Sequence, residues 1–167
     1  MAVGRTTTRY VYVIVGDTGN ALREIPVDSI GDIGVAYEAK DLSAWADAIK
    51  NMFAGQGNAP IKIGGPFDNS AAVTAPASAA AHALSGSHTV LAPINGDNLP
   101  HTLQIEFGIR GNWATGDPVF GLQKLASAGS GYTLTKYTVN GDKYSAEFEV
   151  MGSVAPAWGT AQLSAGA

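Results

Sequence analysis

Alternating hydrophobic and polar residues predict that this chain is built mainly from β-strands. The stretch RYVYVIV at residues 9–15 is β-branched and aromatic, and the turn signal GDTGN follows it. Residues 59–67, APIKIGGPF, alternate isoleucine with lysine and predict a short strand. Residues 21–38 form a broken extended stretch, because Pro26 suits a strand edge or a bulge.

The segment HTLQIEFGIRG, residues 101–111, alternates cleanly between two faces. Its hydrophobic face comprises Leu103, Ile105, Phe107 and Ile109. Its polar face comprises Thr102, Gln104, Glu106 and Arg110. We therefore expect a strand with one face on the core and a solvated polar face.

The strongest hairpin signal lies at residues 131–152, where Asn140-Gly141 can form a type I′ turn. With these two residues as the turn, Tyr137 pairs with Tyr144. One face then holds Val139, Tyr137, Tyr144, Ala146, Phe148 and Val150. The other face holds Lys136, Thr138, Lys143, Ser145, Glu147 and Glu149. A slip of one residue would bury the glutamates, so the pattern specifies the register.

A helical period predicts one α-helix at residues 41–55, DLSAWADAIKNMFAG. Asp41 is the expected N-cap and Gly55 the expected C-terminal stop. The apolar stripe comprises Leu42, Trp45, Ile49, Met52 and Phe53. Because such a stripe usually packs into a core, we expect this helix to lie against the sheet.

The central tract at residues 64–91 is rich in Ala, Ser and Thr and almost uncharged. A domain linker is disfavoured, since the strands before the tract need partners that come after it. Pro76 would break a continuous helix, although a helical turn at residues 77–84 stays open. We expect a long loop at about residues 68–87, which is typical of a functional segment.

Together these elements predict a mainly β fold, an antiparallel β-sandwich or barrel with one flanking α-helix, in a single domain over residues 1–167. Strand and helix do not alternate along the chain, so a doubly wound α/β sheet is disfavoured.

Composition narrows the function further. Only 14% of residues are charged, and the net charge is −4 with a pI near 5.2. Such a chain lacks the basic surface that a general nucleic-acid binder needs. It contains no cysteine, so disulfide and thiolate chemistry are excluded. We see no signal peptide and no apolar run long enough for a membrane span, and expect a protein made in the cytoplasm.

The sequence shows no pattern typical of an enzyme or of a cofactor or metal site. His82, His88 and His101 do not have the spacing of metal ligands. There is no nucleophile elbow, P-loop or dinucleotide fingerprint. As an acid pair for glycoside hydrolysis, Glu147 and Glu149 lack a surrounding aromatic cleft, and a solvated sheet face is the simpler interpretation.

The order of these parts resembles the tail tube (major tail) proteins of long-tailed bacteriophages. The resemblance covers roughly residues 20–155. The phrases GPFDN, at residues 65–69, and GSHTVL, at residues 86–91, carry most of its weight.

This resemblance implies a virion structural role. Subunits of that family form hexameric rings, which stack around a channel that conducts viral DNA without binding it. The implied partners are further copies of the chain, a tape measure protein, and tail terminator or baseplate proteins, with no membrane and no cofactor. The implied location is the virion tail, assembled in the bacterial cytoplasm.

The family architecture also assigns roles to particular residues. We expect the acidic side chains of Glu106, Glu147 and Glu149 to face the lumen, where they would repel phosphate. We expect the central loop to contact the next subunit or ring. Its candidate contact residues are Asn69, Val73, Pro76, Ala80, His82 and Leu84.

Two other classes of protein remain open at this stage. A capsid decoration or head protein would share the Gly-rich β composition and the lack of catalytic motifs. A hydrolase or carbohydrate-binding module would need Trp45, Trp113 and Trp158 to converge on one cleft.

Overall fold

The computed structural model describes residues 11–73, 82–108 and 116–165. It is mainly β with one α-helix, which confirms the predicted fold class. The strands are β1 (Val11–Gly16), β2 (Leu22–Ile25), β3 (Ser29–Ile30), β4 (Ala36–Asp41), β5 (Met52–Asn58), β6 (Ile61–Pro66), β7 (Ala83–Leu84), β8 (Leu103–Phe107), β9 (Val119–Leu122), β10 (Gly131–Asn140), β11 (Lys143–Met151) and β12 (Ala157–Gly159). The helix α1 spans Ser87–Ile94.

Two sheets carry the core. The six-stranded sheet has the order β12-β9-β8-β1-β2-β7, and the four-stranded sheet has the order β10-β11-β6-β3. The strand pairs are antiparallel apart from β2 and β7, which are parallel. Strands β4 and β5 form a separate two-stranded sheet.

The core lies between the inner faces of the two larger sheets. Its buried residues are Val13, Val15, Ile25, Ala59, Ile61, Ile63, Val90, Leu91, Ile94, Leu103, Ile105, Phe120, Leu122, Tyr132, Leu134, Tyr144, Ala146 and Phe148. Two of these are tyrosines whose hydroxyl groups need partners when buried. Tyr132 donates to the carbonyl of Ala59 at 2.9 Å, and Tyr144 donates to the carbonyl of Pro26 at 2.8 Å.

Helix α1 is held at its start by a side chain of its own first turn. The Ser87 hydroxyl donates to the Pro66 carbonyl at 2.9 Å and accepts from the Asp68 amide at 3.2 Å. This contact places the helix against the end of β6. Buried Leu91 and Ile94 then point from one face of the helix into the core.

The prediction of a helix at residues 41–55 is wrong. The segment supplies the last residue of β4, the connection, and the first half of β5. Asp41 caps a tight turn rather than a helix, accepting from the Ser43 amide at 2.9 Å, and Asp47 accepts from the Ala44 amide at 2.8 Å. The predicted core packing of its apolar stripe is also wrong, because these side chains are exposed.

The predicted β10–β11 hairpin is present, but its register differs by two residues. Asn140 pairs with Lys143, and Tyr137 therefore lies opposite Ala146 instead of Tyr144. Gly141, with φ at 66°, begins the turn. A shift of two residues preserves the faces, so Ala146 and Phe148 are buried as expected. A bulge at residue 135 then turns Leu134 towards the core.

The ends of the predicted central loop approach each other closely. The Val73 amide donates to the Leu84 carbonyl at 2.9 Å, and the two-residue strand β7 pairs with β2. Helix α1 begins at Ser87, at the end of the predicted loop. Residues 74–81, with the candidate contacts Pro76 and Ala80, lie outside the described residues.

Candidate assembly surfaces

The most exposed apolar surface is the ribbon of β4, β5 and their connection, residues 36–58, which we call the arm. Both strands are exposed along their length, apart from a half-buried Gly55. Trp45 is fully exposed and Ile49 is 83% exposed. Other apolar side chains that are at least half exposed on the arm are Tyr37, Leu42, Met52 and Phe53. Large exposed apolar side chains concentrated on one element make the arm a candidate interaction site.

Hydrogen bonds within the connection give the arm a defined tip. The Ser43 hydroxyl accepts from the Asn51 amide at 2.6 Å, which closes the connection across eight residues. The side chain and the backbone of Ser43 hydrogen-bond to Asp41 and lower the pKa of its carboxyl group. The tip is thus held by polar contacts, while its apolar side chains stay in solvent.

A groove of about 730 Å³ runs beside β1 and β2 and contains two of the predicted loop contacts. Val73 and Leu84 line it and are 51% and 42% exposed. Asn69 is exposed, and it directly follows Asp68, which also lines the groove. Hydrogen bonds from Ser70 lower the pKa of Asp68, which keeps a negative charge at the groove.

The predicted lumen residues Glu147 and Glu149 lie on β11, on the outer face of the four-stranded sheet. Glu147 is flanked by two cations, with the ammonium groups of Lys62 and Lys136 each 3.8 Å from its carboxylate. At the same end of β11 as the turn, Lys143 pairs with Asp28 at 2.6 Å, and this contact raises the lysine pKa. The face therefore carries mixed charge.

Glu106 lies on the face of β8 that strand alternation predicts, but this face is buried and not solvated. It lies in the six-stranded sheet and is only 2% exposed, so the expected solvated position is wrong. Its Oε1 atom lies 2.9 Å from Nε2 of His82, the predicted loop contact, which is itself mostly buried. A buried carboxylate needs such a partner, because burial alone disfavours its charge. The other polar residue of β8, Gln104, is buried as well.

The cover over β8 is the C-terminal segment at residues 160–165, which we call the strap. The Thr102 hydroxyl donates to the Ala165 carbonyl at 2.9 Å. The Leu163 amide donates to the side-chain oxygen of Gln104 at 2.8 Å. Alternation in the sequence located the polar face correctly, but it could not reveal that a distant part of the same chain covers it.

The described residues contain no cluster that could bind a metal ion. No group of three or more His, Cys, Asp or Glu side chains in that part of the chain could hold a metal ion. His88 and His101 each have a neighbour instead, the Tyr137 hydroxyl at 3.0 Å and the Asp97 carboxylate at 2.9 Å. No helix in the described ranges is long and apolar enough to cross a membrane.

The tryptophans do not present a shared cleft in the described structure. Trp45 stands at the tip of the arm in solvent. Trp158, on β12, packs against Phe107 and Phe120, with ring centroids 5.7 Å and 5.1 Å apart. Trp113 lies outside the described residues. Trp158 is thus used within the subunit, where it holds β12 to its sheet.

Comparison with known proteins finds structural neighbours only. No protein-family model matches the chain, and no curated protein matches it. A sheath/tube terminator of an extracellular contractile injection system, PVC, is 15% identical with a TM-score of 0.49, covering 95% of this chain and 99% of that one. The sheath-tube complex of the PVC system is 13% identical with a TM-score of 0.48, covering 95% and 93%.

A third neighbour is the tube terminating cap of the anti-feeding prophage. It is 13% identical with a TM-score of 0.52, covering 96% of this chain and 95% of the cap chain. The likeness spans nearly the whole of both chains, so this protein shares its fold with that tube terminating cap.

Proposed function

We propose that this protein is a structural subunit of a phage tail or a tail-like injection particle, where copies assemble into rings that form or close the tube. The observation that carries the proposal is the arm, whose apolar side chains find no core in their own subunit. The fold shared with a tube terminating cap supports it. A structural role also accounts for a chain whose prominent surface is apolar rather than a catalytic cleft.

The arm fits a ring of copies better than a free monomer. A two-stranded ribbon is only marginally stable by itself in water. Contact with a neighbouring copy would bury Trp45 and Ile49 and order the ribbon. The groove beside Val73 and Leu84 offers apolar walls for such a contact.

The four-stranded sheet supplies a second contact between copies. Its edge strand, β10, is ten residues long. On the outer side of β10, Tyr132 forms a β-bridge with His101 and the Leu134 carbonyl accepts from the Gly96 amide, so the open part of this edge among the described residues is at residues 136–140. Such an edge invites pairing with another chain, and closed rings remove exposed edges. We propose a hexamer, in which β10 and β11 of each copy face the channel.

The outer face of this sheet would then form the lumen. Glu147 and Glu149 lie there, whereas Glu106 is buried against His82 in the six-stranded sheet. DNA would pass without specific binding, because the lysines beside Glu147 are each within 4 Å of its carboxylate. The further partners we propose are a tape measure protein and terminator or baseplate proteins, in a particle assembled in the bacterial cytoplasm.

Electron microscopy and sedimentation of the purified chain test the proposal. We expect the wild type to form rings or hollow tubes of uniform diameter. The variant Trp45→Ser/Ile49→Ser should stay monomeric with an unchanged melting temperature, because these side chains pack on nothing in the monomer. Leu99→Ser, which replaces an exposed leucine outside the arm, should assemble like the wild type.

Three outcomes contradict the proposal. One is a wild-type chain that stays monomeric at every concentration. Another is an arm variant that assembles normally. A third is wild-type trimers without rings, which would favour the capsid decoration protein.

A further inference from the structure

The outer face of β8 is a row of polar side chains that hold an extended peptide. We call Thr102, Gln104 and Glu106 the polar row. Successive members are two residues apart and so point to the same side of the strand. The strap, which is the chain's own C-terminal segment, contacts Thr102 and Gln104 directly, and it reaches Glu106 only through His82.

The polar row contacts the strap in an antiparallel sense. Thr102 bonds to Ala165, and Gln104 bonds to Leu163, so two steps along β8 match two steps back along the strap. The Gln104 amide pairs with both backbone groups of Leu163, accepting from its N–H at 2.8 Å and donating to its carbonyl at 3.4 Å. Just beyond the adjacent strand β9, Gln123 donates to the Ser164 hydroxyl at 2.8 Å.

Neighbouring groups orient the polar row for this task. The Thr102 hydroxyl accepts from the Lys124 amide at 2.9 Å, which leaves its hydrogen free to donate to the strap. Near the other end, Glu106 holds His82, and the side-chain nitrogen of Gln162 lies 3.4 Å from the His82 ring nitrogen. Because most of these contacts go to backbone atoms, the row recognises an extended chain more than particular side chains.

The polar character of the side chains under the strap lowers the free-energy cost of releasing it. When the strap leaves, water can satisfy Thr102 and Gln104, whereas an apolar row would be exposed at a larger cost. The strap itself carries one large apolar side chain, Leu163, which is only partly buried. Thr160, Ala161 and Ser164 are exposed, and the other three residues of the strap are only partly buried. This segment therefore belongs to the easily opened part of the fold.

We propose that copies exchange straps during assembly, so that the polar row of one subunit holds the strap of a second copy. The occupant is another copy because its identical segment makes the same contacts, which keeps exchange nearly neutral in free energy. The proposal rests on the proposed ring assembly, which would hold neighbouring rows and straps at high effective concentration. Strap exchange would add a further connection between subunits, besides the contact through the arm.

The absence of cysteine in the chain allows a direct test with single-cysteine variants. Gln123→Cys and Ser164→Cys chains, one of them isotope-labelled, are mixed as monomers, assembled, and treated with a short thiol-reactive crosslinker. We expect the yield of crosslinks between labelled and unlabelled chains to be about tenfold above the yield from a control mixture of Ser145→Cys and Ser164→Cys chains. Ser145 is the matched control because it is exposed on the other sheet. Adding Gln104→Ala to the Gln123→Cys chain should lower the yield several-fold.

Sedimentation of the same samples separates the two proposals. Assembly without crosslinks above the Ser145→Cys control overturns strap exchange and leaves the ring proposal standing. A Gln123→Cys/Ser164→Cys chain that crosslinks only within itself in assembled particles also overturns strap exchange alone. Samples that never assemble overturn the ring proposal, and exchange with it.

Discussion

At the scale of single residues, Tyr132 shows how the core tolerates polar groups. Its ring is fully buried, and its hydroxyl donates to the Ala59 carbonyl across the core. Burial raises the pKa of Tyr132 above its usual value of 10.0, with a further contribution from the charge of Glu149. Burial, with smaller contributions from Tyr137 and Asp28, likewise raises the pKa of Tyr144. The folded state therefore resists ionisation of both phenols.

This resistance predicts a loss of stability at alkaline pH. Below the unfolded tyrosine pKa of about 10 the contribution is complete, and it is lost as pH rises towards the higher folded-state pKa, because only the unfolded chain ionises readily. Tyr132→Phe should cost about 1–3 kcal/mol at pH 7, since Ala59 loses its donor. Above pH 10 its stability should fall less steeply than that of the wild type. Urea unfolding at pH 7 and above pH 10 measures the free energy of unfolding of the variant and of the wild type. An equal loss of stability in the two proteins between these pH values would contradict the prediction.

At the scale of elements, the strands were the predictable part. Strands β6 and β8 follow from alternation, because period two reports a strand with two different faces. Strand β1 follows from its β-branched and aromatic residues. The hairpin faces were right although the register was not, since Asn140 proved to be the residue before the turn. The buried polar row could not be foreseen, because alternation does not tell whether solvent or another segment covers a polar face.

The misplaced helix has a physical explanation. The apolar residues of the arm recur at helical spacing, but no core of this chain receives them. Periodicity shows which side chains favour burial and does not show whether the partner is in the same chain. Gly55, which the sequence favours as a helix stop, instead lies inside β5. The true helix lacks a side-chain cap and contains Pro93, so it gave no helical signature.

The short helix α1 should nevertheless contribute strongly to stability. Leu91 is fully buried in the core, so Leu91→Ala should lower the free energy of unfolding by about 2–5 kcal/mol through lost contacts and a cavity. Thr89→Ala on the exposed side of the helix is the control, and its effect should be much smaller. Chemical denaturation measures both, and similar losses would mean that the helix does not anchor the core.

At the scale of the whole molecule, the described charges bear on how the proposed particle would treat nucleic acid. The net charge of −4 is repulsive towards phosphate. On the proposed lumen face, Glu147 lies within 4 Å of both Lys62 and Lys136, and Glu149 supplies the second negative charge that balances the two lysines. Composition alone predicted the sign of the net charge and not this local pairing, which depends on three strands that meet only in the fold.

Removing this neutralisation should make assembled particles bind DNA. We expect Glu147→Lys/Glu149→Lys assemblies to retain double-stranded DNA at low salt and release it as salt rises, because added cations on one face displace counterions from phosphate. Asp32→Lys/Asn95→Lys/Leu99→Lys changes the net charge equally at exposed positions outside that face and outside the arm. Gel-shift and filter-binding assays compare them, and equal retention by the control would contradict a lumen position.

The apolar side chains of the arm also predict how temperature would change the stability of the assembled particle. Burying its apolar side chains removes hydrophobic surface from water, which gives association a negative heat capacity change. Near room temperature such a contact is driven by the entropy of released water, and cooling weakens it. Particles joined through Trp45 and Ile49 would therefore loosen in the cold and tighten on moderate warming, the opposite of contacts held by hydrogen bonds.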